Sequence, residues 1–217
     1  MQPMPGNRPY TIALTGGPCA GKTTLLNQLR GMESIAGHMP LFVPEAATIL
    51  VGRGLVIGQD VVHFQTETLR LQLELENAAL REAGTLGRAC VIICDRGTLD
   101  GAGYCTRAEF DAIAAGFGQS RVSLAQRYDL VVHLVSAAVE APAAYTTGNN
   151  EARGETLEQA VAQEQRTLEA WAEHPNRVIV GCPESFPEKT ARARAAIEQA
   201  LRHAGAKATP RSNVEPD

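Results

Sequence analysis

The stretch Gly16-Gly17-Pro18-Cys19-Ala20-Gly21-Lys22-Thr23-Thr24 constrains the fold more than any other part of the chain. Gly16, Gly21, Lys22 and Thr23 stand at the defining positions of the pattern G-x-x-x-x-G-K-[ST]. Tyr10 to Thr15 just before it reads as a buried strand, and Leu25 to Arg30 just after it reads as a helix, which is the context the pattern requires. Glycines let the backbone curl until successive N–H groups face an anion. The helix that follows adds its positive dipole end. The loop therefore predicts a cup for the phosphates of ATP, built on the backbone of Gly16 to Thr24. Lys22 would reach the β- and γ-phosphates, and the Thr23 hydroxyl would ligate Mg²⁺.

Apolar runs recur at Thr11–Leu14, Leu41–Val43, Cys90–Cys94, Leu130–Val135 and Val178–Val180. Stretches of helical period separate them. Alternating strand and helix predicts an α/β fold with a parallel sheet covered on both faces. Continuous rather than alternating apolar character fits strands buried on two sides. The longest helix is predicted from about Asp60, its N-cap, to Ala83, with Val62, Leu69, Leu73 and Leu80 as its apolar stripe. Further helices are predicted at Arg107–Ala115, at Leu157–Ala172 and at Glu188–His203. The Leu157–Ala172 helix would bury Leu157, Ala160, Val161, Leu168 and Trp171. No internal repeat or linker divides the chain of 217 residues. One domain over residues 10–204 is expected, after a nine-residue polar extension and before a disordered polar tail, 205–217.

Three further places carry chemistry. Asp95 ends the Cys90–Cys94 run and is placed to hold Mg²⁺ in a fold with a phosphate loop. Arg96 follows it, where a motor ATPase usually carries an acid that activates water; an arginine suits a phosphate or substrate clamp. Glu45 lies where a strand gives way to a helix, so it should share a crevice with Lys22 and Asp95. There it could accept the proton of an attacking hydroxyl, with Asp95 the other candidate for that role. Residues from about 140 to 156, containing Thr146-Thr147-Gly148-Asn149-Asn150, read either as a lid, with Arg153 neutralising charge in the transition state, or as a mobile surface loop, which the composition fits as well. Gln65 and Gln72 lie seven apart on one helical face and could read an acceptor, although a solvated face fits the spacing as well. His133 reads as a satisfied core histidine and Trp171 as packing.

Composition narrows the partners. Formal net charge is −4, which gives no support for a broad nucleic-acid surface. Five scattered cysteines suggest neither a disulfide framework nor a zinc site, so a reducing cytoplasm is expected. The first nine residues lack the apolar core of a signal peptide, and no run has the length of a membrane span. No N-K-x-D guanine motif is present.

Together these residues resemble the P-loop kinases of nucleosides and nucleotides. Asp95-Arg96-Gly97-Thr98-Leu99-Asp100-Gly101-Ala102-Gly103-Tyr104 resembles the thymidylate kinase pattern D-R-Y-x-x-S-x-x-A-Y, departing at Gly97, Asp100 and Gly103. Glu45 after Pro44, with Phe64-Gln65-Thr66, is similar to the deoxynucleoside kinases, in which the glutamate is the base and the glutamine reads the nucleobase. The order of elements is also similar to the ribosylnicotinamide kinase type of small AAA-domain ATPase. The resemblance implies a three-layer fold with a five-stranded parallel sheet in the order 2-3-1-4-5, and often a homodimer. It implies an ATP- and Mg²⁺-dependent kinase acting on a small acceptor held by Glu45, Gln65, Arg96 and Asp100. The alternatives are an ATPase or regulatory nucleotide-binding module without an acceptor, and a kinase of a nucleic-acid hydroxyl.

Overall fold

The computed structural model describes residues 8–140, 142, 156–181 and 185–208. Five parallel strands run β1 (Tyr10–Thr15), β2 (Met39–Val43), β3 (Cys90–Asp95), β4 (Leu130–Leu134) and β5 (Arg177–Val180). Their order in the sheet is β2-β3-β1-β4-β5, as expected from the sequence. Helices α1 (Lys22–Arg30), α2 (Ala46–Gly52), α3 (Val61–Thr85), α4 (Arg107–Gly116), α5 (Arg121–Ala125), α6 (Ala137–Glu140), α7 (Leu157–Ala170) and α8 (Phe186–Ala208) connect them and cover the sheet.

Alternate residues of each central strand feed opposite cores, because side chains along a strand point to alternate faces. Ala13, Ile92, Cys94 and Val131 pack with Leu69, Phe110 and Trp171 on one face. Ile12, Leu14, Val91, Ile93 and Val132 pack with Leu25, Leu29 and Ile197 on the other. A chain apolar on both strand faces has no solvent side to offer, which fixes the three-layer arrangement.

Helix α3 begins where Asp60 accepts the His63 N–H at 2.9 Å. The expected stripe holds at Leu69, which is buried, and at Leu73 and Leu80, which pack half-buried against the same core, but not at Val62, which is 39% exposed. The buried face also carries Phe64, Gln65, Gln72 and Glu76. Helix α7 departs further. Val161 is also exposed, and the inward face is Ala160, Gln163, Glu164 and Thr167. Buried polar groups need partners: Glu164 meets the Gly17 N–H of the loop after β1 and His133 on β4, and Gln163 donates to Thr167. Helix α8 extends past His203 to Ala208. No helix among the described residues is long and apolar enough to cross a membrane.

Candidate functional site

The carboxyl ends of β1, β2 and β3 converge, and the loop after β1 curls over them. Gly16 has φ +133°, and a Cβ there would lie 2.0 Å from the Leu134 carbonyl oxygen, so only glycine fits. Helix α1 starts at Lys22 with no acidic residue in its first turn. Its N-terminal amides therefore face the cup without an internal anion to compete for them. Lys22 Nζ donates to the carbonyls of Gly16 at 2.7 Å and Gly17 at 2.9 Å. Thr23 and Thr24 are exposed on the same turn, Cys19 is exposed on the loop, and Ala20 is buried beneath it. Ser136, just beyond β4, donates to the Pro18 carbonyl and pins the loop to the sheet.

Beside the cup, Arg96 sits at φ 69°, a conformation that non-glycine residues seldom adopt. Its N–H donates to Leu14 O at 3.0 Å, and its carbonyl accepts from Gln72 Nε2 at 3.3 Å. These bonds aim the side chain across the site. Arg96 Nε donates to Glu45 Oε1 at 2.6 Å, and a terminal nitrogen reaches Gly16 O at 3.4 Å. The same guanidinium lies 3.7 Å from Asp100 Oδ1. Glu45 occupies the residue before α2, where its side chain leaves the helix amides uncapped and accepts from Thr48 Oγ1 at 2.6 Å. Asp100 accepts the Gly97 N–H at 2.6 Å and a hydroxyl proton from Thr15. The expected clamp residue is thus already engaged by two carboxylates.

A cavity of about 650 Å³ opens between α2, α3 and the turn Asp100–Gly103. Pro18 of the phosphate loop borders it, so cup and cavity adjoin. Glu45, Gln65, Arg96 and Asp100, the four acceptor-side residues read from the sequence, all line it, together with Gln72. Phe64, Leu69 and Phe110 supply apolar wall. Gln65 and Gln72 are buried here, which removes the solvated-face reading. The Asp95 side chain is not part of the cavity wall; it lies within the fields of Lys22, Glu45 and Arg96.

The electrostatics follow from this crowding. Burial pushes the Lys22 ammonium down to about 7, Arg96 adds to that, and Glu45, Asp100 and Asp95 oppose it. Burial raises the Asp95 carboxyl, and the neighbouring Glu45 charge raises it further against the pull of Lys22 and Arg96. Burial would raise Glu45 too, but Arg96 and the Thr48 hydroxyl outweigh it and hold Glu45 below the usual carboxylate range. Two carboxylates in adjoining pockets are thereby driven apart in acidity.

Arg153 and nearly all of the expected lid lie outside the described residues, as does the end of the tail. His133 is fully buried, with Nε2 2.7 Å from Glu164 Oε1. Trp171 is fully buried and packs edge-on against Tyr128 with ring centroids 5.3 Å apart, as expected of packing. Sequence reasoning missed Glu164, which accepts the Gly17 N–H at 2.6 Å, and Glu76, which accepts from Gln72 and Arg127 beneath the cavity. For Glu76 the signal was a charged residue at helical spacing from Gln65, Leu69 and Gln72; for Glu164, flanked by Gln163 and Gln165, the sequence carried none.

A family model described as an AAA domain matches residues 11–207. No curated protein matches the chain. The matched span takes in the phosphate loop, β1 from Thr11 onward, the other four strands and the cavity.

Proposed function

The chain belongs to this AAA-domain family, and from that premise we propose that it is an ATP-dependent phosphotransferase. It moves the γ-phosphoryl group of Mg-ATP to a small nucleoside- or nucleotide-like acceptor. The observation that carries this reading is the cavity of about 650 Å³ that adjoins the phosphate cup and bears Glu45 and Arg96 in its wall. Hydrolysis needs room only for water, whereas transfer to a second molecule needs a pocket of ligand size.

On this reading the residues divide by position. The loop from Gly16 to Thr24 holds the phosphates, and Lys22 leaves its carbonyl partners to meet them. Asp95 and Thr23 suit Mg²⁺, since the raised Asp95 carboxyl marks an anion short of positive charge, and Mg²⁺ takes few protein ligands when phosphates supply others. Bound there, the ion would neutralise charge on the transferring group. Glu45 faces the acceptor and is ionised, so it orients the attacking hydroxyl and takes its proton. A loose transition state requires little deprotonation before the new bond forms, so a weakly basic carboxylate suffices. Arg96, and Arg153 from the segment after α6, supply positive charge to the phosphoryl oxygens. Gln65 and Asp100 orient the acceptor.

Transfer of labelled γ-phosphoryl to a panel of nucleosides and nucleoside monophosphates tests the reading. Acceptor-dependent ADP release with one labelled product is expected. ADP release equal with and without every acceptor would replace it with an ATPase.

A further inference from the structure

Glu164 is 5% exposed, and each of its carboxylate oxygens has a partner: the Gly17 N–H at 2.6 Å and His133 Nε2 at 2.7 Å. Burial would raise its carboxyl, but His133 and the backbone N–H groups of Gly17 and Ser136 outweigh this and hold it below the usual carboxylate range. The Gly16–Gly17 peptide is trans, so its C=O and its N–H point in opposite directions. The carbonyl end takes the Lys22 ammonium at 2.7 Å. The amide end meets Glu164. One peptide plane of the phosphate loop is therefore gripped from both ends, by the lysine on the cup side and by a carboxylate behind it. An ionised acceptor polarises the peptide and strengthens the opposite carbonyl as an acceptor for Lys22. When Lys22 leaves that carbonyl for a phosphate, the plane is kept from turning by Glu164 on its N–H at 2.6 Å and by the longer Arg96 contact to Gly16 O at 3.4 Å.

His133 completes the arrangement from β4. Its Nδ1 is buried and has no partner among the described residues. A carboxylate only accepts, so the Nε2 that meets Glu164 carries a proton and donates it into that hydrogen bond. The same helix touches the acceptor side. A Cβ on Gly103, in the turn that borders the cavity, would lie 3.0 Å from Gln163 Nε2.

We propose that Glu164, oriented by His133, is a positioning residue that sets the Gly16–Gly17 peptide for nucleotide binding and ties the phosphate loop to α7. This rests on the nucleotide-binding part of the reading above and is independent of the acceptor. The test is calorimetric titration of the full chain with a non-hydrolysable Mg-ATP analogue, with ¹⁵N NMR of the Gly17 amide and the His133 ring. Glu164→Ala should weaken binding about ten-fold or more, the loss expected of a charge-assisted hydrogen bond. Glu164→Gln, which can still accept from Gly17, should recover binding to within about three-fold. Its amide NH₂ would face His133, so the ring proton should move from Nε2 to Nδ1 and the Gly17 amide resonance should shift. Wild-type affinity in both variants would overturn the inference. If Glu164→Ala fails to fold, an unchanged Gly17 resonance and ring tautomer in Glu164→Gln would overturn it equally. A wild-type chain that does not bind the analogue would overturn the nucleotide-binding reading first, and the inference with it.

Discussion

Lys22 shows how much one buried charge can govern. Without a phosphate, burial and the neighbouring Arg96 guanidinium push its pKa down from 10.5 to about 7, against the opposing charges of Glu45, Asp100 and Asp95. A polyphosphate would restore the charged form, since a close opposite charge favours ionisation. Binding at pH 8 should then take up close to one proton, and binding at pH 6 almost none. Titration calorimetry in buffers of different ionisation enthalpy reads this directly, and heats independent of buffer at pH 8 would contradict it. The sign for stability runs the same way. Between about 7 and 10.5 the unfolded chain holds a proton that the folded chain has lost, so Lys22 makes the ligand-free fold more stable as pH rises through that window. Glu45 offers a separate test at this scale. Glu45→Gln should keep affinity for the Mg-ATP analogue within about three-fold and cut transfer by a factor on the order of 10² or more, the span of general base catalysis. Lys22→Ala should lose both. Transfer at the wild-type rate in Glu45→Gln would remove the glutamate from the mechanism.

Among the elements, the strands and the phosphate loop were legible because their signals are local. A run such as Val91-Ile92-Ile93 can only be a strand buried on both sides once a phosphate loop has set the fold. Glu45 and Asp95 were legible for the same reason, as carboxylates at strand ends. Helix α7 was legible as a helix, but most of its inward face was not, because that face is chosen by partners far away in sequence. Glu164 answers a glycine 147 positions earlier, and no periodicity of apolar residues reports that. Short α2, α5 and α6 offered too few turns for a period to appear. Gly97 joins the two cases. It stands where the thymidylate kinase pattern carries tyrosine, and the space is taken by Trp171: a Cβ would lie 2.7 Å from that ring and 2.9 Å from the Ala13 Cβ. Gly97→Ala should therefore cost about 1–3 kcal/mol by overpacking. Urea denaturation measures it, and an unchanged midpoint would mean that the indole shifts aside freely.

For the molecule as a whole, the arrangement makes two compartments share one side chain. Arg96 reaches Gly16 O in the cup and Glu45 in the cavity wall, so a ligand in either compartment changes what the guanidinium faces in the other. Coupling between two sites is reciprocal in free energy. Nucleotide and acceptor should therefore bind with mutual dependence rather than additively. The analogue alone, at about a hundred times its dissociation constant, stabilises the folded form by about 2.7 kcal/mol. For a chain of this size each kcal/mol raises the melting temperature by roughly 2–4 °C, which gives a shift of about 5–11 °C. An acceptor added to the nucleotide-bound chain should then raise the melting temperature by an increment different from its effect on the free chain. Substituting Arg96→Lys, which keeps the charge and removes the planar fork that spans both compartments, should bring the two increments together. Equal increments in the wild type would mean that cup and cavity, though they adjoin at Pro18, act as separate sites.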